Sequence, residues 1–291
     1  MRIGVDSYSY HRLCGEIRPG ERDPGHRFAD PLDDVVAECR RLGLDGVSLE
    51  TCFLPPPDAH LARRLRAVAG EHELVLAWGH PHGLRFGRDP AAAADLHRWI
   101  GIAGQAGAPL VRLVVASPAL RPPSAPPPDL AAVDDAVATA CDVARAEGVA
   151  LAIENHADLT VAELARVLGL VADERVGVCF DTANALRMGD DPVAGARALG
   201  RHVRQVHLKD CAPASADAVA GPASVPYGEG IVDIAGVLAA LAQAGFTGLV
   251  CVELAQLPGD VDERVMVEQA VRWLRAQQTV HGAPDRAASQ P

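Results

Sequence analysis

Several short apolar runs in this chain end on groups able to bind a cation or move a proton. LAIENH (151–156) ends in Glu154, Asn155 and His156, and GVCFDTAN (177–184) in Asp181 and Asn184. VRQVHLKD (203–210) ends in His207, Lys209 and Asp210, and VCVEL (250–254) carries Glu253. Runs rich in Val, Ile, Cys and Phe read as strands buried on both faces, where a terminal carboxylate is costly unless it is paired, hydrated or bound to a metal. Three carboxylates and one imidazole suit a hard or borderline divalent cation with positions left for water or substrate. Earlier runs end similarly, with Asp6, Glu50, Trp78 beside His80 and His82, and Arg112.

What must position these groups is an uninterrupted alternation of strand-like and helix-like segments. Strands are expected at 2–8, 46–50, 73–79, 109–117, 149–155, 176–180, 203–210 and 249–255. Between them fall helical periodicities, among them 31–43 with a Gly stop and 160–170 with Thr160 and Glu163 spaced as a capping box. A last helix is expected from about Asp262 to Gln277. Eight βα units in about 275 residues match the ~250-residue norm of an α/β fold of the single-domain (β/α)8 TIM barrel type. No G-x-G-x-x-G follows the first strand, which leaves a dinucleotide fold little support. The expected domain is 1–278, with 279–291 a disordered tail. In such barrels the strand C-termini form the active face, so Glu154, Asp181, His207 and Glu253, from consecutive strands ~4.8 Å apart, are placed to share one ion.

Composition limits the partners. A net charge of -11 in 291 residues disfavours nucleic acid, which normally meets a basic face. Seven cysteines without a C-x-x-C pair read as reduced thiols, and no run approaches the ~20 apolar residues of a membrane span. The first residues, MRIGVDSYSY, contain no apolar signal core. A cytoplasmic enzyme without a membrane partner is expected, and its apolar helix faces leave a homodimer open.

The ordered set LAIENH, GVCFDTAN, VRQVHLKD, YGEGIVD (227–233) and VCVEL resembles the sugar isomerase/epimerase family of xylose-isomerase-like TIM barrels, as does the opening MRIGVDSYSYHR. The resemblance spans about 275 residues. It implies a divalent metal held by Glu154, Asp181, His207 and Glu253, with Mn²⁺ preferred over Mg²⁺, Co²⁺ or Zn²⁺. It further implies that Glu154 and Glu253 are catalytic. One removes a proton beside the ketone of a carbohydrate and the other returns one, through an enediolate.

His80, His82, Arg112, His156, Asn184, Lys209 and His11 are candidates for substrate contact. Against that stand loop hydrogen bonds for His80 and His82, a Glu50 ion pair for Arg112, and a salt bridge to Asp210 or another neighbour for Lys209. Trp78 is either substrate wall or core, and Asp210 is a candidate to orient the His207 ring. Where much of the family has a histidine three residues after the strand-six aspartate, this chain has Asn184, which hydrogen-bonds but does not shuttle protons at neutral pH. The loops after strands seven and eight, CAPASADAVAGPASVPYGEG and LAQLPGD, hold no Lys or Arg. Barrel phosphate sites commonly lie there, so a non-phosphorylated substrate is expected. The leading expectation is a metal-dependent isomerase or epimerase of a keto sugar or related polyol ketone. A lyase or dehydratase of a keto sugar, inosose or oxidised glycoside is the alternative, with His80, His82 or His156 as a further base. An inactive sugar-binding barrel is the alternative of another class.

Overall fold

Each strand carries two columns of side chains, one toward the helices and one toward the barrel axis. The computed structural model describes residues 1–122, 125–213, 222–259 and 261–281. In it β1 (Arg2–Asp6), β2 (Gly46–Glu50), β3 (Glu73–Ala77), β4 (Leu110–Val114), β5 (Ala150–Glu154), β6 (Val176–Asp181), β7 (Val203–Leu208) and β8 (Leu249–Val252) form a closed parallel barrel in chain order. The helices are α1 (Pro31–Leu42), α2 (Ala59–Ala69), α3 (Pro90–Ala106), α4 (Leu130–Glu147), α5 (Val161–Val171), α6 (Thr182–Arg187), α7 (Pro192–Leu199), α8 (Ile234–Gln243) and α9 (Glu263–His281). The chain is therefore the (β/α)8 barrel that its alternating pattern predicts.

Local chemistry sets the helix ends. Asp30 caps α1 by accepting from Asp33 N, Pro31 opens it, and Gly43 closes it at φ 60. The predicted Thr160–Glu163 capping box is present at α5. Two expectations differ. The strands are shorter than their apolar runs: β4 stops at Val114 and β8 at Val252. A short helix, α6, follows β6 at once, where the sequence suggested only a strand end. Helix α9 runs to His281, so residues 279–281 are helical; the rest of the expected tail, 282–291, lies outside the described residues. Among the described residues no helix is long and apolar enough to cross a membrane.

The outward column, including Val111, Ile153, Val178, Phe180, Val206 and Val250, joins the large core beneath the helices. The axial column forms a separate small plug of Val75, Leu110, Ala152, Cys179, Leu249 and Cys251. Leu249 fills the space beside Gly4 and Gly46, where a Cβ on Gly46 would lie 2.6 Å from Glu73 O and 2.8 Å from the Leu249 side chain. Two residues further along these same axial columns come the polar groups of the mouth.

Candidate metal centre and active site

Period-two geometry places the site. Stepping from the plug toward the strand C-termini, Leu110 leads to Arg112, Ala152 to Glu154, Cys179 to Asp181 and Cys251 to Glu253. On β7 the same step runs from Gln205 to His207. The register sets Asp181 opposite His207, and Glu154 opposite Cys179. Glu154, Asp181, His207 and Glu253 are all buried, and one donor atom of each lies within 4.8 Å of the others. The four candidate ligands from separate strands thus converge.

Their neighbours fix which atoms face inward. Asn184 donates from Nδ2 to Glu154 Oε1 at 3.3 Å and to Asp181 Oδ2 at 2.8 Å. Lys209 Nζ bridges Asp181 Oδ2 at 2.7 Å and Glu253 Oε1 at 3.1 Å. The second oxygen of each glutamate then faces His207 Nδ1, Glu253 Oε2 at 2.6 Å and Glu154 Oε2 at 3.8 Å. Arg112 is ion-paired with Glu50 and, at 3.1 Å through Nε, with Glu154 Oε2. On the far side of the imidazole, His207 Nε2 lies 3.2 Å from Gln205 Nε2 and 3.4 Å from Asp6 Oδ2. Asp210 does not orient this ring. It accepts from the backbone N–H groups of Cys211, Gly228, Gly230 and Val232 and so holds the loop after β7.

The charges are perturbed accordingly. Burial works against the charge of Glu253, but His207, Lys209 and Arg112 outweigh it and hold the carboxyl well below its usual range. Glu154 is also lowered: burial opposes its charge, and Arg112 and His207 prevail. Burial pushes Asp6 and Asp181 up. Burial disfavours the His207 imidazolium, but Cys179, Glu253 and Glu154 raise it well above the ordinary histidine range.

The residues present fit a divalent metal. His207 Nδ1, Glu154 Oε2 and Glu253 Oε2 are buried and make no hydrogen bond, although they crowd together. Five buried carboxylates (Asp6, Glu50, Glu154, Asp181, Glu253) surround only two permanent cations, Arg112 and Lys209. Such an excess of buried negative charge requires protons or a bound cation.

Above the four residues opens a cavity of about 760 Å³, lined by Glu154, Glu253, Asn184, Lys209, Arg112, His80, His82 and His156 among others. His82 Nδ1 lies 3.2 Å from Ser117 Oγ, and the His80 ring stacks on Trp78 at 5.3 Å. Of the bridges considered for Lys209, the structure has the one to other neighbours, Asp181 and Glu253, and not the one to Asp210. Two other candidates lie elsewhere. Trp78 is fully buried, donates from Nε1 to Asp95 Oδ2 at 2.9 Å, and belongs to the core. His11 does not line the cavity. Its Nε2 lies 2.9 Å from Glu21 Oε2, and Glu21 also accepts from the backbone N–H groups of Arg18 and Leu257. Glu21 therefore ties the loop after β1 to the loop after β8, and His11 holds Glu21 in place.

Sequence reasoning missed several cavity residues: Tyr8, Glu16 and Arg18 from the β1 loop, Cys52, Ser117, Arg187 and Gln256. None of them had a readable signal; α6, which carries Arg187, is too short to read from the sequence. Arg187 lies three residues beyond Asn184 on α6, so both share one helix face.

Residues 36–277 match the family model described as xylose isomerase-like TIM barrel, and the chain belongs to that family. An inosose dehydratase of Lacticaseibacillus casei is 25% identical over 150 residues, which are 46% of this chain and 50% of that protein. The chain thus spans about half the length of the curated relatives it matches. The structure of an L-ribulose 3-epimerase superposes with a TM-score of 0.74 at 16% identity, covering 100% of this chain and 99% of that one. A xylose isomerase-like TIM barrel protein from Mycobacterium smegmatis in complex with magnesium gives 0.71 at 17% identity, over 97% and 98% of the two chains.

Proposed function

We propose that this chain is a divalent-metal-dependent isomerase or epimerase that moves a proton on the carbon beside the ketone of a keto sugar or polyol ketone. The convergence of Glu154, Asp181, His207 and Glu253, of which the two glutamates line the cavity, carries the reading. Those four residues would hold the metal, with Mn²⁺ the first choice. When bound, it supplies the positive charge that acidifies a C–H beside a carbonyl. Glu154 and Glu253 enter the cavity from separated strands, each with one oxygen held by Asn184 or Lys209 and the other turned toward His207 Nδ1. That arrangement suits removal of a proton by one and its return by the other. Arg112 keeps Glu154 ionised, and His207 with Lys209 does the same for Glu253, so both stay deprotonated and able to accept a proton.

A second reading, loss of water from the same keto substrate, is supported by His156. This histidine lines the cavity, its Nδ1 is buried without a hydrogen bond, and burial lowers its pKa. It is therefore a neutral acid–base group beside the two glutamates, and the inosose dehydratase relative is consistent with that chemistry. The test is incubation of the Mn²⁺-loaded chain with a panel of keto sugars in D₂O. Deuterium in the recovered ketose, lost in Glu154→Gln and Glu253→Gln, supports isomerisation; an enone or diketone product supports the dehydratase. Neither outcome with any ketose, together with metal analysis finding no bound cation, overturns both.

A further inference from the structure

The cavity contains four permanent cations: Arg18, Arg112, Arg187 and Lys209. Arg112 and Lys209 are consumed by the carboxylates of the centre. Arg18 and Arg187 are not. Among the described residues no acidic side chain lies within ion-pairing distance of either guanidinium, and neither side chain makes a hydrogen bond. Glu16, another acidic residue of the lining, already accepts from the Tyr8 hydroxyl at 2.5 Å. Burial depresses Arg187 against the attraction of Asp181, which lies beyond ion-pairing distance, and repulsion from Arg18 adds to the depression.

Both positions are built. Arg18 sits in a loop whose Glu21 carboxylate accepts from the Arg18 backbone N–H at 2.9 Å and from His11. Arg187 ends the helix that begins directly after Asp181 and lies one turn beyond Asn184. Two unpaired guanidinium groups facing one cavity, in a chain of net charge -11, are the arrangement that recognises an anion by forked hydrogen bonds.

We infer that Arg18 and Arg187 form an anion subsite, and that the substrate is a keto sugar bearing a carboxylate or a phosphate monoester at the end away from the four-residue centre. The inference rests on the proposed function and narrows its substrate class. It also revises the expectation drawn from the loops after β7 and β8: cationic groups reach the cavity from the loop after β1 and from α6 instead.

Two titrations test it. First, inorganic phosphate is titrated calorimetrically into the chain in EDTA at low salt. The wild type should bind it saturably, and Arg18→Gln and Arg187→Gln should each bind it about tenfold or more weakly. Second, the Mn²⁺-loaded chain is titrated with D-fructose, D-fructuronate and D-fructose 6-phosphate, which differ only at one end. At least one acid should bind about tenfold more tightly than fructose, with the gain lost in the paired variant, and the tighter acid identifies carboxylate or phosphate. Absence of phosphate binding by the wild type, equal phosphate binding by the variants, or fructose binding as well as both acids overturns the inference. Metal titrations of the same proteins separate the two readings. A chain that binds no metal, yet loses phosphate with Arg187→Gln, removes the proposed function and leaves the anion subsite standing.

Discussion

Replacing Glu253 by Gln tests the centre most directly, because the amide keeps the shape and removes the charge. In the metal-free protein the change breaks contacts to His207 at 2.6 Å and Lys209 at 3.1 Å. Breaking a buried ion pair costs about 3–5 kcal/mol, so the variant should unfold at a lower temperature before any metal is added. The diagnostic quantity is the further shift on adding metal. At a free concentration of 100 times Kd, metal stabilises the folded wild type by about 2.7 kcal/mol. For a chain of this size that raises Tm by about 4–5 °C. Losing a ligand should weaken binding at least ~100-fold, the upper range seen for partners outside the ligand shell. At the same free metal only about 0.4 kcal/mol remains, a shift of about 1 °C. Differential scanning calorimetry with EDTA and with Mn²⁺, Mg²⁺, Co²⁺ or Zn²⁺ gives both numbers. A metal-induced shift in Glu253→Gln equal to that of the wild type would refute the ligand assignment, as would no shift in the wild type with any of the four ions.

Arg112→Met should cost about 3–5 kcal/mol in urea denaturation, because it leaves Glu50 and Glu154 buried without their cation; a loss below 1 kcal/mol would contradict the pairing. Asn184→Ala should weaken metal binding roughly 10–100-fold in chelator competition, with little change in metal-free stability, since Asn184 orients Glu154 and Asp181. Asp158 is pushed up to about 7 by burial, which outweighs three backbone N–H donors from Ala116, His156 and Leu159. An acid raised in the folded state stabilises fully below its unfolded value of 3.8 and loses that contribution as pH rises through about 7. The destabilisation caused by Asp158→Asn should therefore shrink between about pH 4 and 7, by on the order of 1 kcal/mol per pH unit. A pH-independent difference in urea unfolding would count against it.

The barrel was legible because its strands are apolar and its helices are punctuated by caps and glycines, which are local signals. The inward-facing groups at the ends of β5 to β8 were legible because the strand period carries them onto the axis. Other parts depend on contacts distant in sequence. Nothing near Arg18 shows that the β1 loop is pinned by Glu21 to Leu257, 236 positions away. His11 looked available because that tie was invisible. Asp6 was visible as a strand end, but its place beside His207 depends on closure of β8 onto β1. Arg187 escaped notice for another reason: the run after Asp181 was too short to read as a helix, so its alignment with Asn184 had no frame.

Asp181 belongs to two structures at once. Its side chain is a member of the four-residue centre, and its Oδ1 accepts from Asn184 N at 2.9 Å as the N-cap of α6. Any cation that draws on this carboxylate therefore also pulls on the first turn of a helix only six residues long, whose final residue is Arg187. Occupancy at the floor and alignment at the rim are joined through one rigid lever. Asp181→Asn would keep the lever and lose the charge, whereas Asp181→Ala would release both, so comparing them isolates mechanical transmission from electrostatics.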